Sequence, residues 1–166
     1  MSEENISSKY KIVIIDDEGD LLFLMKGILD ATGRYQVYPT MDGEEGLRLC
    51  QEESPDLVIV DFIMPKENGD KLIDKLRNHP KTKAIPIVLM SGLGEVLYFD
   101  CLDEKEGFKQ VIEMKEKEPH PGEWDALAAE VAKIFAVEDY LPKPFSKQRL
   151  LDMVESVLVG SRKSHL

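Results

Sequence analysis

Cysteine is nearly absent. The 166 residues hold two, Cys50 and Cys101, too far apart for any metal-binding or redox spacing. A disulfide framework and a zinc knuckle are thereby excluded, and free thiols in a reducing compartment are expected. Positive charge is scarce too: 21 Lys plus Arg stand against 32 Asp plus Glu, a formal net charge of −11. So acidic a surface repels a phosphate backbone and an anionic headgroup, so neither nucleic acid nor membrane is expected as a partner. No apolar run approaches the ~20 residues a bilayer crossing requires. Residues 1–10 are polar and lack the apolar core of a secretion signal, so a cytoplasmic protein is expected. Internal repeats and low-complexity linkers are also missing.

What is present is enough apolar material, 43% of residues, to build a core in one domain of ordinary size. Three runs are β-branched-rich and uninterrupted rather than alternating: Ile12-Val13-Ile14-Ile15, Leu57-Val58-Ile59-Val60 and Ile85-Pro86-Ile87-Val88-Leu89-Met90. Such runs suit strands covered on both faces. Between them, Leu21, Leu22, Met25, Ile28 and Leu29 recur at helical spacing, as do Leu47 with Cys50 or Gln51, and Leu72, Ile73 and Leu76. Shorter strands are expected at residues 35–38 and 139–141, and a closing helix from Ser146 carries Leu150, Leu151, Val154 and Leu158. Asp20, Asp42 and Ser146 are candidate helix caps, and Gly33 a candidate helix end. The alternation predicts an α/β fold with a five-stranded parallel sheet.

One interval is too long. Ser91 and Lys143 lie 52 positions apart, where one helix and two loops need on the order of 20. Residues 123–137, with Leu127, Val131, Ile134 and Phe135 at helical spacing, supply the fourth helix. The surplus falls at about residues 93–122, expected as one or two additional helices. The domain therefore runs over residues 8–160 with an insertion at 93–122, and residues 161–166 form a short tail.

Chemistry-bearing residues follow the apolar runs. Asp16-Asp17 comes after the first, Asp61 after the third strand, Ser91-Gly92 after the fourth, and Lys143-Pro144-Phe145 lies just beyond the fifth. In a parallel sheet all these ends share one edge, where ligands of open α/β folds bind. Three ionised carboxylates held close repel one another unless some protonate or a cation joins them. A hard divalent ion such as Mg²⁺, which takes one or two carboxylates and a phosphate, is the natural solution. With Asp61 as nucleophile, and Ser91 and Lys143 ready for phosphoryl oxygens, these residue types suit phosphoryl transfer to a carboxylate.

Together these residues resemble the receiver domains of two-component response regulators. The resemblance rests on Ile14-Ile15-Asp16-Asp17-Glu18, on Asp61-Phe62-Ile63-Met64-Pro65 with Gly69, on Ser91-Gly92 and on Asp139-Tyr140-Leu141-Pro142-Lys143-Pro144-Phe145. It implies a flavodoxin-like doubly wound sheet of order 2-1-3-4-5, with the extra helical insertion placed before the fourth helix. It further implies a signalling switch in a two-component system or phosphorelay, not an enzyme acting on a separate substrate. Asp61 would accept a phosphoryl group from a phosphohistidine on a sensor histidine kinase or histidine phosphotransfer protein. Mg²⁺ would be held by Asp17, Asp61 and the Ile63 backbone carbonyl, and by Asp16 largely through water. Ser91 and Lys143 would contact the phosphoryl oxygens, and Tyr140 would be the aromatic that swings inward as the hydroxyl moves. The Lys143–Pro144 bond is expected to be cis.

Departures from the family pattern include apolar Ile63 and Leu93, two residues after the acceptor and the switch serine, where polar groups often orient a hydrolytic water. A long-lived aspartyl phosphate is expected from them. A Mg²⁺-dependent phosphatase with Asp61 as nucleophile is the rival reading, but its acid/base Asp would stand where Ile63 does. An unphosphorylated binding module is a third. The output is expected to run through a non-covalent protein partner or a relay, with the insertion as a possible docking or homodimer surface.

Overall fold

A computed structural model describes residues 8–92, 129 and 131–163. In chain order the elements are β1 (Tyr10–Ile15), α1 (Gly19–Asp30), β2 (Tyr35–Thr40), α2 (Gly43–Glu53), β3 (Leu57–Asp61), α3 (Gly69–Asn78) and β4 (Ile87–Gly92). Then come a helix α4, of which residues 129 and 131–135 are described, β5 (Asp139–Lys143) and α5 (Lys147–Lys163). The insertion expected at 93–122, Cys101 and Leu127 lie outside the described residues.

All four strand pairings are parallel, and the order is β2-β1-β3-β4-β5, a flavodoxin-like fold. Successive side chains of a strand point to opposite faces, which is why the central runs carry no polar residue. Val13, Ile15, Val58, Val60, Ile87 and Leu89 face a core closed by α2, α3 and α4. Ile12, Ile14, Leu57, Ile59, Val88 and Met90 face the other, closed by α1 and α5. Each helix contributes the stripe its periodicity predicts: Leu22, Met25 and Leu29 from α1, Leu72, Ile73 and Leu76 from α3, Leu150 and Val154 from α5. Gly46 lets α2 close onto β1, since a Cβ there would lie 2.3 Å from Ile15 Cδ1. In the described strands proline stands at Pro39 of β2 and Pro142 of β5, the two edge strands, where a missing N–H is tolerated.

Several local expectations change. β2 runs to Thr40 and β5 to Lys143, both longer than the apolar pattern marks, because their polar ends still pair with β1 and β4. Asp42 caps α2 by accepting the Glu44 and Glu45 N–H groups, and Ser146 Oγ accepts the Arg149 N–H. Asp20, however, does not cap α1. The N-cap is Glu18, and Asp20 lies in the first turn, where its charge still favours the helix dipole. Gly33 is left-handed, at φ 72°, but α1 has already ended at Asp30. The fourth helix stops before Val137, because Ala136 turns into the left-handed region at φ 53°.

Arg77, near the end of α3, pins that turn. Its guanidinium donates to the carbonyls of Ala136, Lys83 and Ile85 and to the Glu138 carboxylate, which in turn accepts the Ile87 N–H. One side chain thus ties α3 to the first residue of β4 and the approach to β5. Replacing it removes at once a partly buried bond to the Ile85 carbonyl and several exposed ones. Arg77→Ala is expected to lose about 2 kcal/mol of stability, read as a lower urea midpoint at unchanged m-value.

Candidate functional site

The C-terminal ends of β1, β3, β4 and β5 lie on one edge and bring the residues singled out above to a single place. Asp16 follows β1 directly. Its N–H donates to the Thr40 carbonyl at 3.1 Å, its Oδ1 accepts the Glu18 N–H at 2.8 Å, and its side chain is fully buried. Asp61 is the last residue of β3 and only 3% exposed. The chain leaves it tightly: Phe62 N–H donates to the Met90 carbonyl at 2.9 Å, and Gly69 N–H returns to the Phe62 carbonyl at 2.7 Å. Gly69 is required by this close approach, since a Cβ would stand 2.3 Å from the Asp61 carbonyl oxygen. Ile63 sits half-buried in the same loop, packed against the core on the α3 face.

Carboxylate oxygens of Asp16, Asp17 and Asp61 lie within 4.8 Å of one another. One ammonium answers them: Lys143 Nζ is 2.9 Å from Asp16 Oδ2, 3.2 Å from Asp61 Oδ1 and 3.5 Å from Glu18 Oε1. The Asp61 contact is an ion pair rather than a hydrogen bond, and among the described residues no donor is aligned on buried Asp61 Oδ1. Burial, then the neighbouring Asp16 charge, pushes the Asp61 carboxyl from its ordinary value of 3.8 up to about 7, with Lys143 pulling the other way. Burial also raises Asp16, against the Glu18 N–H and Lys143. For Lys143 burial disfavours the charge, but the hydrogen bond to Asp16 and the Asp61 and Asp16 charges prevail and hold it above the usual range. The pocket therefore holds a fixed ammonium and more carboxylate charge than it neutralises. All-oxygen donors, an excess of negative charge and an orphaned carboxylate oxygen are what a hard divalent cation fits, and this cluster can hold one.

The other two groups sit deeper. Ser91 is fully buried at the end of β4, and its Oγ is 3.1 Å from the Tyr140 phenol oxygen. The phenol also donates to the Ser91 carbonyl at 3.1 Å, while Ser91 Oγ donates to the Gly92 carbonyl at 3.2 Å. Tyr140 is fully buried. Its ring thus lies inward, already joined to the serine. The Lys143–Pro144 peptide is cis.

Two contributors have no role in the sequence reading. Glu18, quoted there only as part of the acidic stretch, gives Lys143 its third carboxylate. Arg77 bonds mainly to backbone carbonyls, so no residue pattern marks it. Cys50 is buried in the core, and burial pushes its thiol up to about 12, which removes it from the chemistry.

Because Asp61 ionises less readily folded than unfolded, the unfolded chain releases this proton first. Stability therefore falls as pH rises from about 4 to about 7. In the presence of a chelator, Asp61→Asn is expected to exceed the wild type by about 2 kcal/mol at pH 8, the gap closing as pH falls toward 4. Urea unfolding across that range measures it, and a gap independent of pH contradicts the assignment.

Comparison with known proteins agrees with this geometry. The response regulator receiver domain model matches residues 12–118, a span that ends before β5 and its Tyr140 and Lys143. Among curated relatives, the transcriptional regulatory protein CpxR of Klebsiella pneumoniae is 30% identical over 155 residues, covering 93% of this chain and 50% of the relative. The DNA-binding dual master transcriptional regulator RpaA of Synechocystis is 27% identical, over 89% of this chain and 48% of the relative. The chain spans about half the length of these relatives. Among solved structures, the chemotaxis response regulator CheY4 of Vibrio cholerae has a TM-score of 0.64 at 21% identity, covering 90% of this chain and 99% of that one. A CheY-like receiver domain protein of Methanospirillum hungatei reaches 0.67 at 19%, with 95% and 99% covered. At those identities the structures speak for the fold.

One expectation is overturned. Relatives named as transcriptional regulators, one of them DNA-binding, contradict the exclusion of nucleic acid as a partner. The charge sum behind it describes the surface of 166 residues and carries no information about what else such proteins touch. For membranes the finding is narrower: among the described residues, no helix is long and apolar enough to cross one. With well over half its length matched, and the acidic cluster at the sheet edge where such a fold binds ligands, the chain belongs to the response regulator receiver domain family.

Proposed function

We propose that the chain is a phospho-accepting switch in which Asp61 takes a phosphoryl group from a phosphohistidine on a partner protein. The observation that carries this reading is the pairing of three clustered carboxylates with one partly buried ammonium, which leaves Asp61 Oδ1 without a hydrogen-bond donor. Asp17, Asp61, the Ile63 carbonyl and, through water, Asp16 would hold Mg²⁺, which when bound offsets negative charge between these carboxylates and the incoming phosphoryl oxygens. Asp61 attacks phosphorus as the anion, and its elevated pKa leaves it substantially ionised at neutral pH. Lys143 turns from the carboxylates toward the phosphoryl oxygens, and its fixed charge stabilises the transferred group. Ser91 donates its hydroxyl proton to one of those oxygens in place of the Gly92 carbonyl, and Tyr140 registers that change through its bond to Ser91.

Phosphorylation is then a local charge change read out on the face built from α4, β5 and α5. The relatives' names support transcriptional control as the output such a switch serves. Ile63, apolar and two residues beyond the acceptor, gives no group to orient a hydrolytic water, and this favours a long-lived acyl phosphate.

Incubation with acetyl phosphate followed by intact-mass spectrometry tests the reading. One phosphoryl adduct is expected with Mg²⁺, none with chelator, and none in Asp61→Asn under either condition. An adduct that survives Asp61→Asn, or that forms equally without the metal, removes the proposed acceptor. The adduct is also expected to outlast a decay series of minutes, and decay within seconds would refute the assignment of a protective role to Ile63.

A further inference from the structure

The peptide between Ile63 and Met64 has no hydrogen bond to hold it. Among the described residues neither the Ile63 carbonyl nor the Met64 N–H is paired, and no backbone–backbone bond reaches residues 63–67. Phe62 and Gly69 close the loop at its ends, and the Ile63 and Met64 side chains pack on the core. A rigid peptide plane between two anchored side chains can still turn, and its carbonyl turns with it.

Two ion pairs hold the rest of this loop. Lys75 Nζ of α3 lies 2.8 Å from Glu67 Oε1 and 2.9 Å from Oε2, so one ammonium takes both oxygens of a carboxylate side chain only 23% exposed. On the other side Lys66 Nζ lies 3.1 Å from Asp42 Oδ2. Asp42 is itself fixed, since its Oδ1 accepts the Glu44 and Glu45 N–H groups and its own N–H donates to Thr40 Oγ1. Thr40 in turn accepts the Asp16 N–H. Lys66 is almost wholly in solvent, so the Glu67 pair is the stronger tether.

We infer that Glu67 and Lys75 are positioning residues that fix the peptide offering the Ile63 carbonyl to Mg²⁺, with Lys66 and Asp42 as a weaker second tether. This rests on that carbonyl being a metal ligand. The bare field of Lys75 acts in the opposite sense. Its positive charge lines the same cavity as Asp17, so electrostatics alone makes cation binding tighter once the charge is removed. A tether makes it weaker.

The test titrates the full chain with Mg²⁺ without a phosphodonor, followed by backbone amide NMR shifts, with the Met64 amide reporting the carbonyl before it. Lys75→Met and Glu67→Gln are each expected to weaken binding about two- to fivefold. The double variant is expected to lose no more than the weaker single, and Lys75→Arg to bind as the wild type does. Lys71→Met removes the same charge from the same helix, where the ammonium has no partner among the described residues, and is expected to leave affinity unchanged or raise it. Wild-type or tighter binding by Lys75→Met, or additive losses in the double variant, overturns the tether while the metal site stands. A wild type whose Met64 amide does not respond to Mg²⁺ removes the carbonyl from the ligand set, and the inference with it.

Discussion

The ammonium of Lys143 between the carboxylates of Asp16 and Asp61 is the contact around which the rest of the chain is arranged. Two buried carboxylates side by side raise each other's pKa, and each is expensive to bury alone. A cation on a long stem removes part of that cost only when the strand carrying it ends on the same edge. β5 stands two strands from β3, on the order of 10 Å at ordinary strand spacing, so Lys143 must reach across the end of β4. Parallel pairing in the order β2-β1-β3-β4-β5, with Gly92 opposite Lys143 and Met90 opposite Asp61, makes that reach possible. A one-residue slip of β5 would turn Lys143 to the other face of the sheet and leave the carboxylates unanswered.

Register, in turn, is held far from the site. At the opposite end of β4 and β5, Arg77 and Glu138 lock the turn before β5 to the first residue of β4, and the apolar runs between the two ends are buried on both faces. Gly69 plays the complementary part at the edge, where it admits the start of α3 to the Asp61 carbonyl and closes the loop that carries Ile63. The stabilising interactions and the unfavourable charges thus occupy opposite ends of the same strands.

How much of this was legible follows from what each feature depends on. The central strands were readable because burial on both faces excludes polar residues from Ile12 to Ile15 and from Leu57 to Val60, and the helix stripes because one face must be apolar. The strand ends Asp16, Asp61, Ser91 and Lys143 could be placed together because parallel topology alone puts them on one edge. Strand order is different: no periodicity encodes it, and it came with the family resemblance. The Asp20 cap failed because capping depends on where the chain leaves β1, and Glu18 rather than Asp20 has the extended backbone that a cap needs. Arg77 was invisible for a related reason, since its partners are carbonyls that converge only after folding. The exclusion of nucleic acid failed more simply, because a net charge belongs to the residues summed and cannot be extended to relatives twice as long.

The site's electrostatics also explain why its two hydroxyls are drawn inward. Ser91 has a single proton, shared in this structure between the Gly92 carbonyl and the Tyr140 phenol, while Tyr140 gives its own to the Ser91 carbonyl. That set joins two buried polar groups to each other, while of the carboxylates Asp16 takes its bonds from Lys143 and the Glu18 N–H and Asp61 Oδ1 has no aligned donor among the described residues. Turning Ser91 toward a phosphoryl oxygen would therefore leave Tyr140 to find a new balance within a fully buried core. Because Tyr140 is part of β5 and packs on the same core as Val131 and Ala132 of α4, a change in one hydroxyl bond is felt at the junction of sheet and helix. Under the proposed switch a signal would need no long path, because Tyr140, bonded to Ser91, shares one core with Val131 and Ala132 of α4.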